Sequence, residues 1–165
     1  MKWLWRIGAV VLSLGIAQIF VYSTYIVENT SMLPAFRDGD IVVVSKLSDI
    51  ERGDVVVVNA QRGFYTSNHV EFVIKRVIAL GEDRIACCNP EGLLMLNGKP
   101  LSESYIKGKP SDISFDVTLP PDTVWLMGDN RLNSLDSRDL LGLPGGGAVS
   151  TQHIIGEVVW VLWRS

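Results

Sequence analysis

The chain has 165 residues, 47% of them apolar and 20% charged, with a formal net charge of −3. That length holds one modest domain plus an appendage. The apolar share is high for a soluble domain, and the acidic balance leaves no basic face for nucleic acid, so no nucleic-acid partner is expected.

Residues 1–6 carry Lys2 and Arg6, and "IGAVVLSLGIAQIFVYSTYIV" follows from Ile7 to Val27, 21 residues without a charge. As a helix it would span ~31 Å, close to the ~30 Å hydrocarbon core of a bilayer. Trp3 and Trp5 flank one end and Tyr22 and Tyr25 the other, as aromatic residues do at membrane interfaces. Lys2 and Arg6 precede the run, whereas Glu28, Asp38 and Asp40 follow it. The positive-inside rule therefore puts the N-terminus in the cytoplasm. A cleaved secretory signal has a shorter apolar region of ~7–15 residues and a small-x-small site, which "TYIVENTS" does not offer. The expected organisation is a short cytoplasmic N-terminus over 1–6, a single-pass transmembrane anchor over 7–27 in the plasma membrane, and an extracytoplasmic domain over 28–165.

Beyond the run the pattern is β. "DIVVVSK" and "DVVVVNA" are short β-branched runs, each opened by Gly-Asp, and "EFVIKRVIAL" from Glu71 to Leu80 is a longer third strand. "LLMLNGKPL" contains Asn97-Gly98, which suits the two positive-φ positions of a type I′ hairpin turn. "TVWLMGD" and "IIGEVVWVLW" complete the set, separated by loops that include a triple glycine at 145–147. No amphipathic helix is expected after residue 27. These elements predict a mostly β fold, an antiparallel, partly closed domain on one anchor. The last strand is apolar on both alternations, which predicts burial on both faces. The other reading dips one face into the membrane interface.

Ser31, in "ENTSMLPAF", lies just past the apolar run and needs a base to act as a nucleophile. His69 and His153 are the two histidines, and neither has a recognisable catalytic setting. Lys75 interrupts an apolar strand. Strand alternation puts Val73, Lys75, Val77 and Ala79 on one face, and Phe72, Ile74, Arg76 and Ile78 on the other. Buried among apolar neighbours, Lys75 would titrate below the ordinary lysine value of ~10.4 and could take a serine's proton; the other reading is a lysine that snorkels to water. "MGDNRLNSLDSRDL", Met127 to Leu140, packs three acids, two arginines, two asparagines and two serines behind an apolar strand. Such a density of short polar groups suits a hydrogen-bonded scaffold. No Cys/His spacing suggests a metal.

Three of these segments resemble the bacterial type I signal peptidases, membrane-anchored serine proteases with a Ser-Lys dyad. "SMLP" at 31–34 is similar to their nucleophile motif, "KRVIALGEDRI" from Lys75 to their lysine motif, and "GDNRLNSLDSR" from Gly128 to Arg138 to their last motif. "ERGDVVVV" and "LNGKPLSESYI" fit as well. The resemblance covers nearly the whole chain in order. It implies Ser31 as nucleophile, Lys75 as general base, Ser134 as the residue that orients the lysine amine, an Asp136–Arg138 ion pair holding the site, and Asp129 as support. It implies the Ser31 N–H as one oxyanion donor and the Asn29 amide as a candidate second. Val73 and Ile74 would line the substrate pockets. The reaction implied is removal of signal peptides from secreted preproteins at the bilayer surface, without a cofactor. Ala35 and the "ALGED" turn depart from the family pattern. The glycine-rich insertion and the adjacent Cys87-Cys88 resemble the branch from high-GC Gram-positive bacteria; the cysteines could be two thiols or a vicinal bridge.

Overall fold

The computed structural model describes residues 3, 21–64 and 70–165. Its elements, in chain order, begin with β1 (Tyr22–Ile26), β2 (Ile41–Ser45) and β3 (Val55–Asn59). The short helix α1 (Ala60–Gly63), β4 (Phe72–Leu80), β5 (Arg84–Cys87), β6 (Met95–Leu96) and β7 (Lys99–Pro100) follow. The series ends with β8 (Phe115–Thr118), β9 (Thr123–Met127), β10 (Val149–Ser150) and β11 (Ile154–Trp163). Seven strands form one sheet in the order β1-β2-β11-β3-β4-β9-β10, and four form a second in the order β7-β6-β5-β8. Every pairing is antiparallel. The fold is therefore mostly β, as the β-branched runs require.

The Asn97-Gly98 hairpin forms as its sequence dictates. Both residues have positive φ, 52° and 77°, and Leu96 faces Lys99 across the two-residue turn. Strands β3 and β4 pair from Val55 against Arg76 to Asn59 against Phe72. This register puts Lys75 beside Val56, on the same face as Val73 and Val77, while Ile74 and Val57 pack on the opposite face. The alternation breaks at an irregularity between Val77 and Ala79. An extra residue there turns the strand, so Ala79 joins Ile78, Trp125 and Met127 in a separate cluster rather than sharing the Lys75 face.

Two expectations need correction. Tyr22–Ile26, the end of the run expected to be membrane anchor, is a strand paired residue for residue with β2. Alternating half-buried and exposed positions in "YSTYI" suit a sheet edge, and pairing overrides the apolar count. No helix among the described residues is long and apolar enough to cross a membrane; the rest of the anchor run, apart from Val21 and Val27, lies outside them. The last strand is not covered on both faces at its end. Trp160, Leu162 and Trp163 are 72%, 66% and 65% exposed, on the part of β11 beyond Glu157 that β3 no longer pairs.

Cys87 and Cys88 are joined in a disulfide at the end of β5.

Candidate active site

Ser31 sits in a turn between β1 and β2, and Lys75 lies at the middle of β4. The sheet brings them together across 44 residues of sequence: Lys75 Nζ donates to Ser31 Oγ at 2.9 Å. Both are buried, Ser31 to 8% and Lys75 to 2% exposure. Burial pushes the Lys75 ammonium down from 10.5 to about 8, against the opposing pull of the Asp136, Asp129 and Asp139 carboxylates. A neutral amine is thus reachable near neutral pH, within hydrogen-bond reach of the hydroxyl.

A cavity of about 250 Å³ opens onto the pair. It is lined by Asn29, Thr30, Ser31, Val70, Val73, Lys75, Asn133 and Leu135. Val73 faces it; Ile74 is not among its lining residues and packs with Val27, Met32 and Val57 instead. Strand β9 pairs with β4 only from Arg76 to Leu80. The Phe72–Lys75 half of β4 therefore has one edge without a partner strand among the described residues, beside Ser31.

The segment from Gly128 to Arg138 wraps around the serine turn. Asn130 N–H donates to Ser31 C=O at 2.9 Å, and the Asn130 and Asn133 side chains donate to the carbonyl and hydroxyl oxygens of Thr30. Gly128 has to be glycine because of close approach: a Cβ there would lie 2.5 Å from the Ser31 carbonyl and collide with Ser134. Asp136, fully buried, accepts two bonds from the Arg138 guanidinium at 2.8 Å each and one from the Gly128 N–H. It also caps the 3-10 turn Ser137–Leu140 reciprocally with Asp139, a capping box. Ser137 Oγ accepts from Leu126 N–H and ties this turn to β9.

Asp129 is paired not with the dyad but with Arg76, through two bonds at 2.8 and 2.6 Å. The Arg76 guanidinium stacks 4.2 Å above the Tyr105 ring. Ser134 Oγ is buried without a hydrogen-bond partner among the described residues, so the bond to Lys75 expected of it is not made here. Asn29 also differs from its expected part. Its Oδ1 accepts the Ser31 N–H at 2.9 Å, so the side chain takes up the N–H expected to be an oxyanion donor rather than adding a donor. Among the histidines, His153 lines a separate cavity with Arg62 and Ser150. His69 lies outside the described residues.

Sequence reasoning missed three contributors. Asn130 and Asn133 hold the serine turn, and Arg131 forms a buried ion pair with Glu103 while bonding the Gly128 carbonyl. The signal for all three was their place in the dense polar segment, but only the fold shows where each side chain goes.

A family model described as "Signal peptidase, peptidase S26" matches residues 1–163. A "Signal peptidase I" of Bacillus caldolyticus is 35% identical over 98% of this chain and 90% of its own length. One of Leptolyngbya laminosa is 34% identical over 94% of this chain and 75% of its own. Among solved structures, a signal peptidase I from Enterococcus faecalis V583 superposes with a TM-score of 0.53 at 22% identity, covering 68% of this chain and 98% of that one. At that identity the superposition speaks for the fold.

Proposed function

The chain belongs to the signal peptidase family, peptidase S26, and from that membership we propose that it is a membrane-bound serine endopeptidase that removes signal peptides from secreted preproteins. One observation carries the mechanism: a buried lysine amine, lowered to about 8, lies 2.9 Å from a buried serine hydroxyl at the mouth of a cavity.

The geometry supports the following course of reaction. The preprotein enters extended and adds a strand to the free Phe72–Lys75 edge of β4, with alternate side chains entering pockets. Val73 lines the pocket nearest the cut. Neutral Lys75 takes the Ser31 proton as Oγ attacks the scissile carbonyl. The carbonyl oxygen gains charge and is met by the Ser31 N–H. Lys75 returns the proton to the departing amine, which leaves the signal peptide esterified to Ser31. Lys75 then takes a proton from water, the hydroxide attacks the ester, and Ser31 is regenerated. Once Ser31 is acylated, the buried unpaired Ser134 hydroxyl is the group that meets the Lys75 amine, since buried polar groups demand partners. Asp136 with Arg138, and Asp129 with Arg76, hold the surrounding backbone.

The membrane part of the reading rests on the apolar run, now shortened. With β1 beginning at Tyr22, a span would end at Val21 and would have to take in the Trp3–Arg6 end, with Arg6 reaching back to the headgroups, to approach ~28 Å, leaving the N-terminus cytoplasmic and the β domain outside. The exposed Tyr22 and Ile26 of β1 and Trp160, Leu162 and Trp163 of β11, with β2 between them at one sheet margin, support seating of that margin against lipid. The test is cleavage of a preprotein in lipid vesicles. Ser31→Ala and Lys75→Ala are each expected to abolish it, and full activity in either variant would sink the proposal.

A further inference from the structure

The oxyanion donor of this site is already in use. The Ser31 N–H donates to Asn29 Oδ1 at 2.9 Å, inside the ~2.7–3.1 Å window in which such a donor meets a developing oxyanion. The acceptor is itself an amide carbonyl, the same chemical group as the scissile bond's carbonyl. Asn29 is exposed and adopts a φ of 85°, a left-handed conformation that asparagine tolerates better than most residues. Its own N–H is anchored to Asp38 Oδ1 at 2.7 Å. The backbone is thus pinned on one side while the carboxamide turns back over the serine.

The rest of the serine turn is held differently. The Ser31 carbonyl, the Thr30 carbonyl and the Thr30 hydroxyl are each bound by Asn130 or Asn133 from the neighbouring loop. The Ser31 N–H alone among these groups is satisfied by a local, exposed side chain that can rotate away about two bonds.

We propose that Asn29 is a positioning residue that acts as a placeholder: its carboxamide oxygen holds the Ser31 N–H in the empty enzyme and is displaced by the substrate's scissile carbonyl. This rests on the Ser31–Lys75 reading of the site. Displacement exchanges one neutral amide hydrogen bond for another, so it is nearly neutral when substrate binds. It becomes favourable as the carbonyl turns into an oxyanion, because charge-assisted bonds are roughly twice as strong as neutral ones. The Ser31 N–H thus stabilises the transition state more than the ground state, while Asn29 only competes with bound substrate for that donor in the free enzyme. Its carboxamide keeps the N–H aimed while the site is empty and denies it to water.

The reading makes Asn29→Gly informative. Glycine takes the positive φ without strain and keeps the backbone N–H that Asp38 holds, so only the carboxamide is lost. Removing the competing acceptor should raise kcat/KM about two- to tenfold, mostly through KM, the range set by the net worth of one hydrogen bond. In the full chain in micelles, hydrogen exchange at the Ser31 amide should be protected in the free wild type and exposed in Asn29→Gly. A peptide aldehyde that adds to Ser31 should restore protection in both. Asn29→Asp keeps an acceptor and gives it charge, so it should lower kcat/KM at least tenfold. The proposal is overturned if Asn29→Gly leaves kcat/KM unchanged or lowers kcat tenfold or more, as loss of a second oxyanion donor would, or if its Ser31 amide stays protected without the aldehyde. Failure of the Ser31–Lys75 reading looks different: wild type and Ser31→Ala would then cleave alike.

Discussion

Replacing Lys75 by methionine should make the protein more stable at neutral pH and less so, relative to wild type, as pH rises. The lysine is almost fully buried, and burial lowers its ammonium from 10.5 to about 8. In the unfolded chain the amine keeps its proton up to the ordinary value. Below pH 8 the folded protein therefore carries a buried charge that the unfolded chain hydrates freely. At ~1.4 kcal/mol per tenfold change in proton affinity, the fall corresponds to roughly 3 kcal/mol. Because the folded value is the lower one, the penalty is complete below about 8 and fades between about 8 and 10.5. Methionine has similar length and no charge, so it removes the penalty, at the loss of one hydrogen bond to Ser31 Oγ worth ~1 kcal/mol. The expected gain is about 2 kcal/mol at pH 7, turning to a slight loss above pH 10. Urea unfolding of the full chain in micelles, followed by tryptophan fluorescence at pH 7, 9 and 10.5, measures it. A Lys75→Met variant less stable than wild type at pH 7, or a difference that does not change with pH, would refute the reasoning.

The same titration should appear in the rate. Preprotein cleavage should rise about tenfold from pH 7 to a plateau above pH 9, following the neutral fraction of Lys75; a pH-independent rate over that range would contradict it. Gly128→Ala should lower kcat by 10- to 100-fold, since its Cβ drives into the Ser31 carbonyl and Ser134 and misplacement near ~1 Å carries losses of that order; wild-type kcat would contradict it. Asp136→Asn strands a buried Arg138 guanidinium and should destabilise by about 3–5 kcal/mol, read as a lower urea midpoint. Val73→Trp should fill the cavity beside Ser31 and raise KM for preproteins, while leaving the unfolding free energy from urea within ~1 kcal/mol of wild type, because Val73 is only partly buried.

Local rules made parts of this fold legible and long-range pairing hid others. The β-branched runs, the Asn97-Gly98 turn and the apolar setting of Lys75 are properties of a few adjacent residues, and each is found where the pattern puts it. Strand β1 was not legible, because "YSTYI" continues an unbroken apolar run and only its pairing with β2 makes it a strand. The irregularity that moves Ala79 to the other face and the uncovered end of β11 likewise depend on neighbours that no local pattern names. In the site, the resemblance to the signal peptidase motifs is what marked Ser31, Lys75 and the polar segment as belonging together. It did not say that Asp129 pairs with Arg76, that Ser134 is left unpaired, or that Asn29 presents its oxygen to the Ser31 N–H. These depend on rotamers fixed by packing rather than on residue type.

The central claim is that Ser31 carries the signal peptide as an ester during turnover. Acid-quenching the enzyme milliseconds after mixing with a preprotein, then measuring its intact and peptide masses, tests this directly. The account predicts an adduct of the signal-peptide acyl group on the Ser31 peptide, absent from Ser31→Ala and from Lys75→Ala. Cleavage at the wild-type rate with the adduct on another residue, or an adduct that persists in Lys75→Ala at full rate, would contradict it.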